Sequence, residues 1–137
     1  MSGYIQSNQT VLLPDSAYTV SAADTGKIML VSTVTGDRTI TLPAAAPGLH
    51  YRFINKAPGA LGGNVIVQGA AAGLLNGLII QLGAAVAATR SLAVTAALSM
   101  TFVTAVSVKG DHMDFYCDGT NWSVSAMTSV LGGITTP

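Results

Sequence analysis

Along most of the chain apolar and polar residues alternate with a period of two, in short runs cut by turn residues. The longest run is Ser91–Val108. Leu92, Val94, Ala96, Leu98, Met100, Phe102, Val106 and Val108 hold its even positions, and its odd positions are mostly small or hydroxylated. Successive side chains of a strand point to opposite faces, so the pattern predicts a strand with one apolar face. The run exceeds an ordinary strand, which implies one bent strand or two in succession. It carries no charge, but a membrane-spanning helix would not alternate in this way, and no membrane span is expected.

Shorter runs of the same kind lie between turn signals. Thr10–Leu13 ends at Pro14-Asp15, and Ala17–Ser21 precedes Asp24-Thr25-Gly26. Lys27–Thr33 sets Ile28, Leu30 and Ser32 against Met29, Val31 and Thr33. Gly36-Asp37 leads into Arg38–Leu42, which Pro43 and Pro47-Gly48 terminate. Leu49–Asn55 alternates Leu49, Tyr51 and Phe53 against His50, Arg52 and Ile54; a loop from Pro58 to Gly63 and a short strand Asn64–Gln68 follow. Near the end, His112–Asp118 and Trp122–Ala126 flank Asp118-Gly119, a strong hairpin signal because glycine accepts positive φ. The alanine clusters at 44–46, 70–72 and 84–88 adjoin Pro or Gly and make no amphipathic helix. Residues 69–89 are compatible with loop, strand or a single helical turn. The expected fold is all-β: one antiparallel sandwich or jelly-roll-like domain. Residues 15–126 are expected to form its core, with 1–14 and 127–137 either as short terminal arms that order against a neighbour or as frayed termini.

Charge changes the picture more than any motif. Only 9% of the 137 residues are charged, glutamate is absent, and six aspartates balance six lysines and arginines. An average soluble domain carries roughly 25% charged residues. A coat this sparse predicts that part of the surface is covered by copies of the chain or by another protein. The basic residues Lys27, Arg38, Arg52, Lys56, Arg90 and Lys109 are scattered singly, which argues against nucleic acid as a partner. The first ten residues have neither the basic nor the apolar stretch of a secretory leader.

Few residues suggest chemistry. Cys117, the single cysteine, shares a strand face with Met113 and Phe115 and is expected to be a small buried hydrophobe. A nucleophilic thiolate needs a basic partner, and nothing in the sequence places His50 or His112 beside it. Asp111, His112 and Asp114 offer oxygen and nitrogen ligands for an ion, with Asp111 at the mouth of the strand and the other two on one face. No calcium-loop spacing follows them, and a solvated strand face is the plainer expectation. The glycine-rich pieces "APGALGGN" and "GAAAGLLNG" lack the Lys-Ser/Thr of a phosphate loop. Arg52 and Arg90 sit in apolar stretches and are expected at the surface. No catalytic, cofactor or metal residue is assigned.

In order along the chain stand "DTGKIMLV", "TITLP", "PGLHYRFINKA", "NVIVQG", "LLNG" and "GDHMDFYCDGTNWSV". This series resembles a module of tailed-bacteriophage virion proteins, found in head decoration (cement) proteins and in tail-fibre or spike segments. The matching positions are Asp24, Gly26 and Lys27; Leu42 and Pro43; Gly48, Tyr51, Phe53 and Asn55; Val65 and Val67; and Asp118 to Trp122. Together they cover about residues 15–126. The resemblance implies a trimeric, β-rich virion component without catalysis. Tail fibres usually carry the module within a longer chain, so a chain that is little more than the module suits capsid decoration. The expectation is a homotrimer, made in the host cytoplasm and bound to the major capsid protein on the virion surface, without cofactor, nucleic acid or membrane. The alternatives are a tail-fibre or spike module for host-receptor binding, a non-viral surface β-domain, or a small hydrolase with Asp and His clustered in a pocket.

Overall fold

The period-two runs pair into two sheets packed face to face in a computed structural model that describes residues 9–72, 74–84 and 88–137. Twelve strands form in chain order. They are β1 (Thr10–Leu12), β2 (Tyr18–Thr19), β3 (Ile28–Val31), β4 (Arg38–Thr41), β5 (His50–Asn55) and β6 (Val65–Gln68). Then come β7 (Leu75–Gln81), β8 (Arg90–Ala97), β9 (Ser99–Phe102), β10 (His112–Cys117), β11 (Trp122–Thr128) and β12 (Ile134–Thr135). One sheet has seven strands in the order β1-β3-β5-β10-β11-β7-β8, the other five in the order β12-β9-β6-β4-β2. A 3-10 turn at Ala22–Asp24 is capped by the Ser21 hydroxyl, which accepts from the Ala23 N–H at 3.2 Å.

The all-β sandwich stands; its expected antiparallel, jelly-roll-like topology is corrected. Both sheets are mixed, with parallel pairs β1–β3, β3–β5, β2–β4, β4–β6 and β11–β7. The cause is the path of the chain. From β1 to β7 it alternates between the sheets, so β1, β3 and β5 lie in one and β2, β4 and β6 in the other. Each strand in one sheet serves as the crossover between two strands of the other, and neighbours joined by a crossover run parallel. The turns at Pro14-Asp15 and Gly36-Asp37 thus carry the chain across the core instead of folding it back into hairpins.

The core is the inner faces of the two sheets. From the larger sheet come Met29, Val31, Tyr51, Phe53, Met113, Phe115, Cys117, Trp122, Val124 and Ile79; from the smaller, Ile40, Val67, Met100, Phe102 and Ile134. Phe53 and Phe115 meet edge to face with ring centres 5.5 Å apart, and Tyr51 lies 6.0 Å from Trp122. Ser91–Val108 splits into two successive strands, β8 and β9, one in each sheet. Ala96 takes a left-handed φ of 46° where β8 bulges, and its N–H donates to Asn76 Oδ1 at 2.9 Å. The bulge shifts the side-chain phase, so Leu98, expected on the apolar inner face, is exposed at the corner.

The arms also differ from expectation. Residues 1–8 of the N-terminal one lie outside the described residues, but Thr10–Leu12 is already paired as β1. The C-terminal one is folded in: Thr128 ends β11, and Ile134 in β12 is fully buried against β9.

Candidate functional site

The outer faces of the two sheets differ in chemistry. On the five-stranded sheet the outward rows are Thr19, Thr41, Gln68 and Ser99, then Thr39, Ile66, Thr101 and Thr135. That face is largely hydroxyl and amide. Across the seven-stranded sheet, pairing register aligns Leu12, Leu30, Ile54, His112, Met127, Ile80 and Ser91 in one row. The next row is Thr10, Ile28, Arg52, Asp114, Ser125, Leu78 and Ala93. Large apolar side chains therefore stand in solvent: Leu12 is 60% exposed, Leu78 42% and Met127 39%. Contiguous apolar surface of this kind marks an interaction site in soluble proteins.

A third row, His50, Tyr116, Ser123 and Asn76, crosses one end of this face. Tyr116 projects from it, 55% exposed. Beside it lies a hollow of about 590 Å³ whose walls include His50, Arg52, Asp114 and Tyr116. Ser123 and Ser125 leave the hollow open because their side chains are short. Arg52 grips Asp114 with two parallel bonds, Nε to Oδ1 at 2.6 Å and Nη2 to Oδ2 at 3.0 Å. That bond to the Asp114 carboxylate, and its charge, raise the Arg52 pKa above the ordinary arginine value.

Every one of the six aspartates is engaged inside the molecule. Asp15 binds Arg38 Nε at 2.8 Å and the Thr35 hydroxyl at 2.9 Å; Asp24 binds Lys27 at 2.7 Å; Asp37 accepts from the Asn64 N–H at 2.8 Å. Asp118 accepts from the Thr120 and Asn121 N–H groups, both at 2.8 Å, and these bonds hold its pKa below the ordinary carboxylate value. The opening of the β10–β11 hairpin is thus a self-capped turn, with Gly119 at a φ of 111°.

Asp111 is the most heavily bonded; it stands at the mouth of β10, as its position suggested, but its side chain turns inward instead of facing solvent. It is 2% exposed. Its Oδ2 accepts from Ser107 Oγ at 3.0 Å, Thr128 Oγ1 at 2.8 Å and the Val108 N–H at 3.0 Å. Its Oδ1 accepts from the Ser129 N–H at 3.0 Å and Ser129 Oγ at 3.3 Å. Asn55, buried alongside, donates to Ser107 Oγ at 3.1 Å and extends the network. A buried carboxylate with no cation is tolerable because five donors replace its water.

The remaining sequence candidates do not converge. His112 and Asp114 share the outer face, but Asp114 is held by Arg52, His112 Nδ1 lies 3.2 Å from the Gly110 carbonyl, and Asp111 points inward. Among the described residues no three His, Cys, Asp or Glu side chains gather as an ion would require. Cys117 is fully buried on the inner face, whereas His50 is exposed on the outer one. Arg90 donates to Gln81 Oε1 at 2.8 Å, and Gln81 Nε2 donates in turn to the Ile134 carbonyl at 2.8 Å. In "APGALGGN", Gly62 and Gly63 let the loop lie against the backbone of residues 34–37.

The outer face was not among the candidates that single residues suggested. Its signal was present in runs with apolar residues on both faces, such as Ile28-Met29-Leu30-Val31 and Leu78-Ile79-Ile80. No family model matches the chain, and no curated protein or solved structure matches it either.

Proposed function

We propose that this is a structural virion protein, a homotrimer that decorates the outer surface of a phage head and stabilises its lattice through the major capsid protein. One observation carries the proposal: the molecule presents an apolar sheet face to solvent while all six of its carboxylates serve its own fold. Acid–base chemistry needs a carboxylate free to exchange a proton with substrate, whereas assembly needs apolar area that is cheap to desolvate. The resemblance of its strand and turn phrases to the module of phage decoration and tail-fibre proteins supplies the setting. The mechanism is mechanical. Each contact adds modestly, and repetition over a closed shell multiplies the effect.

A receptor-binding tail-fibre module is the second reading, favoured by the projecting Tyr116 beside an open hollow. Copy number per particle separates the two. Quantitative mass spectrometry of virions produced with this chain is expected to find hundreds of copies, in head fractions. A few to a dozen copies in tail fractions would select the fibre, and absence from particles would end both readings.

A further inference from the structure

We infer that the outer face of the seven-stranded sheet is the contact between copies of this chain, with Tyr116 of one copy seated in the hollow of its neighbour. The inference rests on the trimer proposed above and assigns the surface that makes it. Three properties select a second copy as the occupant.

The first is charge. At the centre of the face stand one cation and one anion, Arg52 and Asp114, adjacent and half-exposed. In a ring of three, one part of this face meets a different part of the neighbour's, an arrangement that penalises a face of single sign and suits one that carries both charges. Arg52 can exchange or share Asp114 with a copy and leave no charge unpaired.

The second property is shape. The same face carries a projection and a depression side by side: Tyr116 stands out, and Ser123 and Ser125, next along the sheet, leave the hollow of about 590 Å³. A phenol ring fits such a space, and its hydroxyl would meet the serine hydroxyls, His50 and the Arg52–Asp114 pair. Tyrosine is enriched at interfaces because it joins a large apolar ring to a polar tip.

The third is area. Seven strands at about 4.8 Å spacing span roughly 34 Å, and five residues at about 3.4 Å give roughly 17 Å of depth. The projected face is therefore about 570 Å² before side-chain relief; divided between two neighbours it gives contacts smaller than the roughly 800 Å² per partner of a standard interface, and three such contacts reinforce one another when the ring closes. The hydroxyl face of the five-stranded sheet offers no comparable apolar area.

The test compares four variants of the full chain by light scattering, each checked by circular dichroism. Leu78→Lys places a charge on the face, Ser125→Trp fills the hollow, and Tyr116→Ala removes the projection; Thr39→Lys does the same as the first on the opposite sheet. The first three are expected to lower the mass threefold, to the 13.9 kDa of one chain, with an unchanged strand spectrum. Thr39→Lys keeps the wild-type mass. Tyr116→Ala only removes a half-exposed ring, so it still decides the matter if either larger change impairs folding. A wild type of 13.9 kDa, or face variants that keep the wild-type mass, would overturn the inference. Face variants that stay trimeric but no longer bind purified heads would assign this face to the shell, overturning the inference while leaving the proposed function intact. Trimeric Tyr116→Ala that loses attachment to host cells would overturn both.

Discussion

At the scale of single residues the deciding feature is a buried carboxylate. Asp111 collects five donors from Ser107, Val108, Thr128 and Ser129, and so ties the start of β10 to the end of β11. Asp111→Asn puts an N–H₂ group where one oxygen now accepts, leaving several buried donors facing a donor. A loss of about 2–4 kcal/mol in urea unfolding is expected; a loss below about 0.5 kcal/mol would refute this role. Sequence alone could not reveal the network, because Thr128 and Ser129 come from another strand and a following turn. Cys117 and the Asp118-Gly119 turn were legible, since strand phase and local capping decide them. Tyr51 makes a second prediction. Its buried ring lies near Asp24 and its hydroxyl donates to the Ser21 carbonyl at 2.9 Å. Burial first, and the Asp24 charge second, push its pKa from 10.0 to about 12. A raised folded-state value means that this contribution is whole below pH 10.0 and drains away as pH climbs toward 12. Equilibrium unfolding across that window should therefore show stability falling with pH, and Tyr51→Phe should flatten the slope. An identical slope in the variant would refute the assignment.

At the scale of elements, alternation located most strands to within a residue or two, because one buried face and one wet face is the usual condition of a sheet. It failed at β7. There Leu75, Ile79 and Gln81 face the core while Leu78 and Ile80 line the outer face, so no polar side betrays the period. Pairing direction was illegible for a different reason. A turn signal says that the chain reverses, not whether it returns beside its own strand or crosses to the other sheet. β7 also carries the tightest backbone approach in its sheet. Gly77 sits at a φ of 155° where β8 bulges, and a Cβ there would overlap the Val124 carbonyl oxygen of β11. Backbone cannot yield as a flexible side chain would, so Gly77→Ala should separate β7 from β11. The expected cost is about 3 kcal/mol, with amide exchange accelerated first in β7 and β8. A melting temperature within about 1 °C of wild type would show that the sheet absorbs the methyl group.

At the scale of the whole molecule, the sparse charge can now be placed. The chain exposes 6804 Å², close to the roughly 6,700 Å² that its mass predicts for an independent globule. The fold is therefore closed by itself, and the missing charge is not a sign of an unfinished core. It is concentrated on the outer face of one sheet, where Leu12, Leu78 and Met127 stand exposed to solvent. Stability and assembly should then respond to salt in a distinctive way. Three partly exposed ion pairs, Asp24–Lys27, Asp15–Arg38 and Arg52–Asp114, are the only ones among the described residues. Exposed pairs of this kind contribute about 0–1 kcal/mol each, and the Debye length shrinks from about 10 Å at 0.1 M to about 3 Å at 1 M. Raising sodium chloride over that range should move the melting temperature by less than about 4 °C. If the proposed trimer forms and apolar area holds it together, the same salt leaves its mass unchanged, and sulfate, which strengthens apolar burial, raises the melting temperature. Dissociation in 1 M sodium chloride would mean that charge, not the apolar rows, joins the subunits.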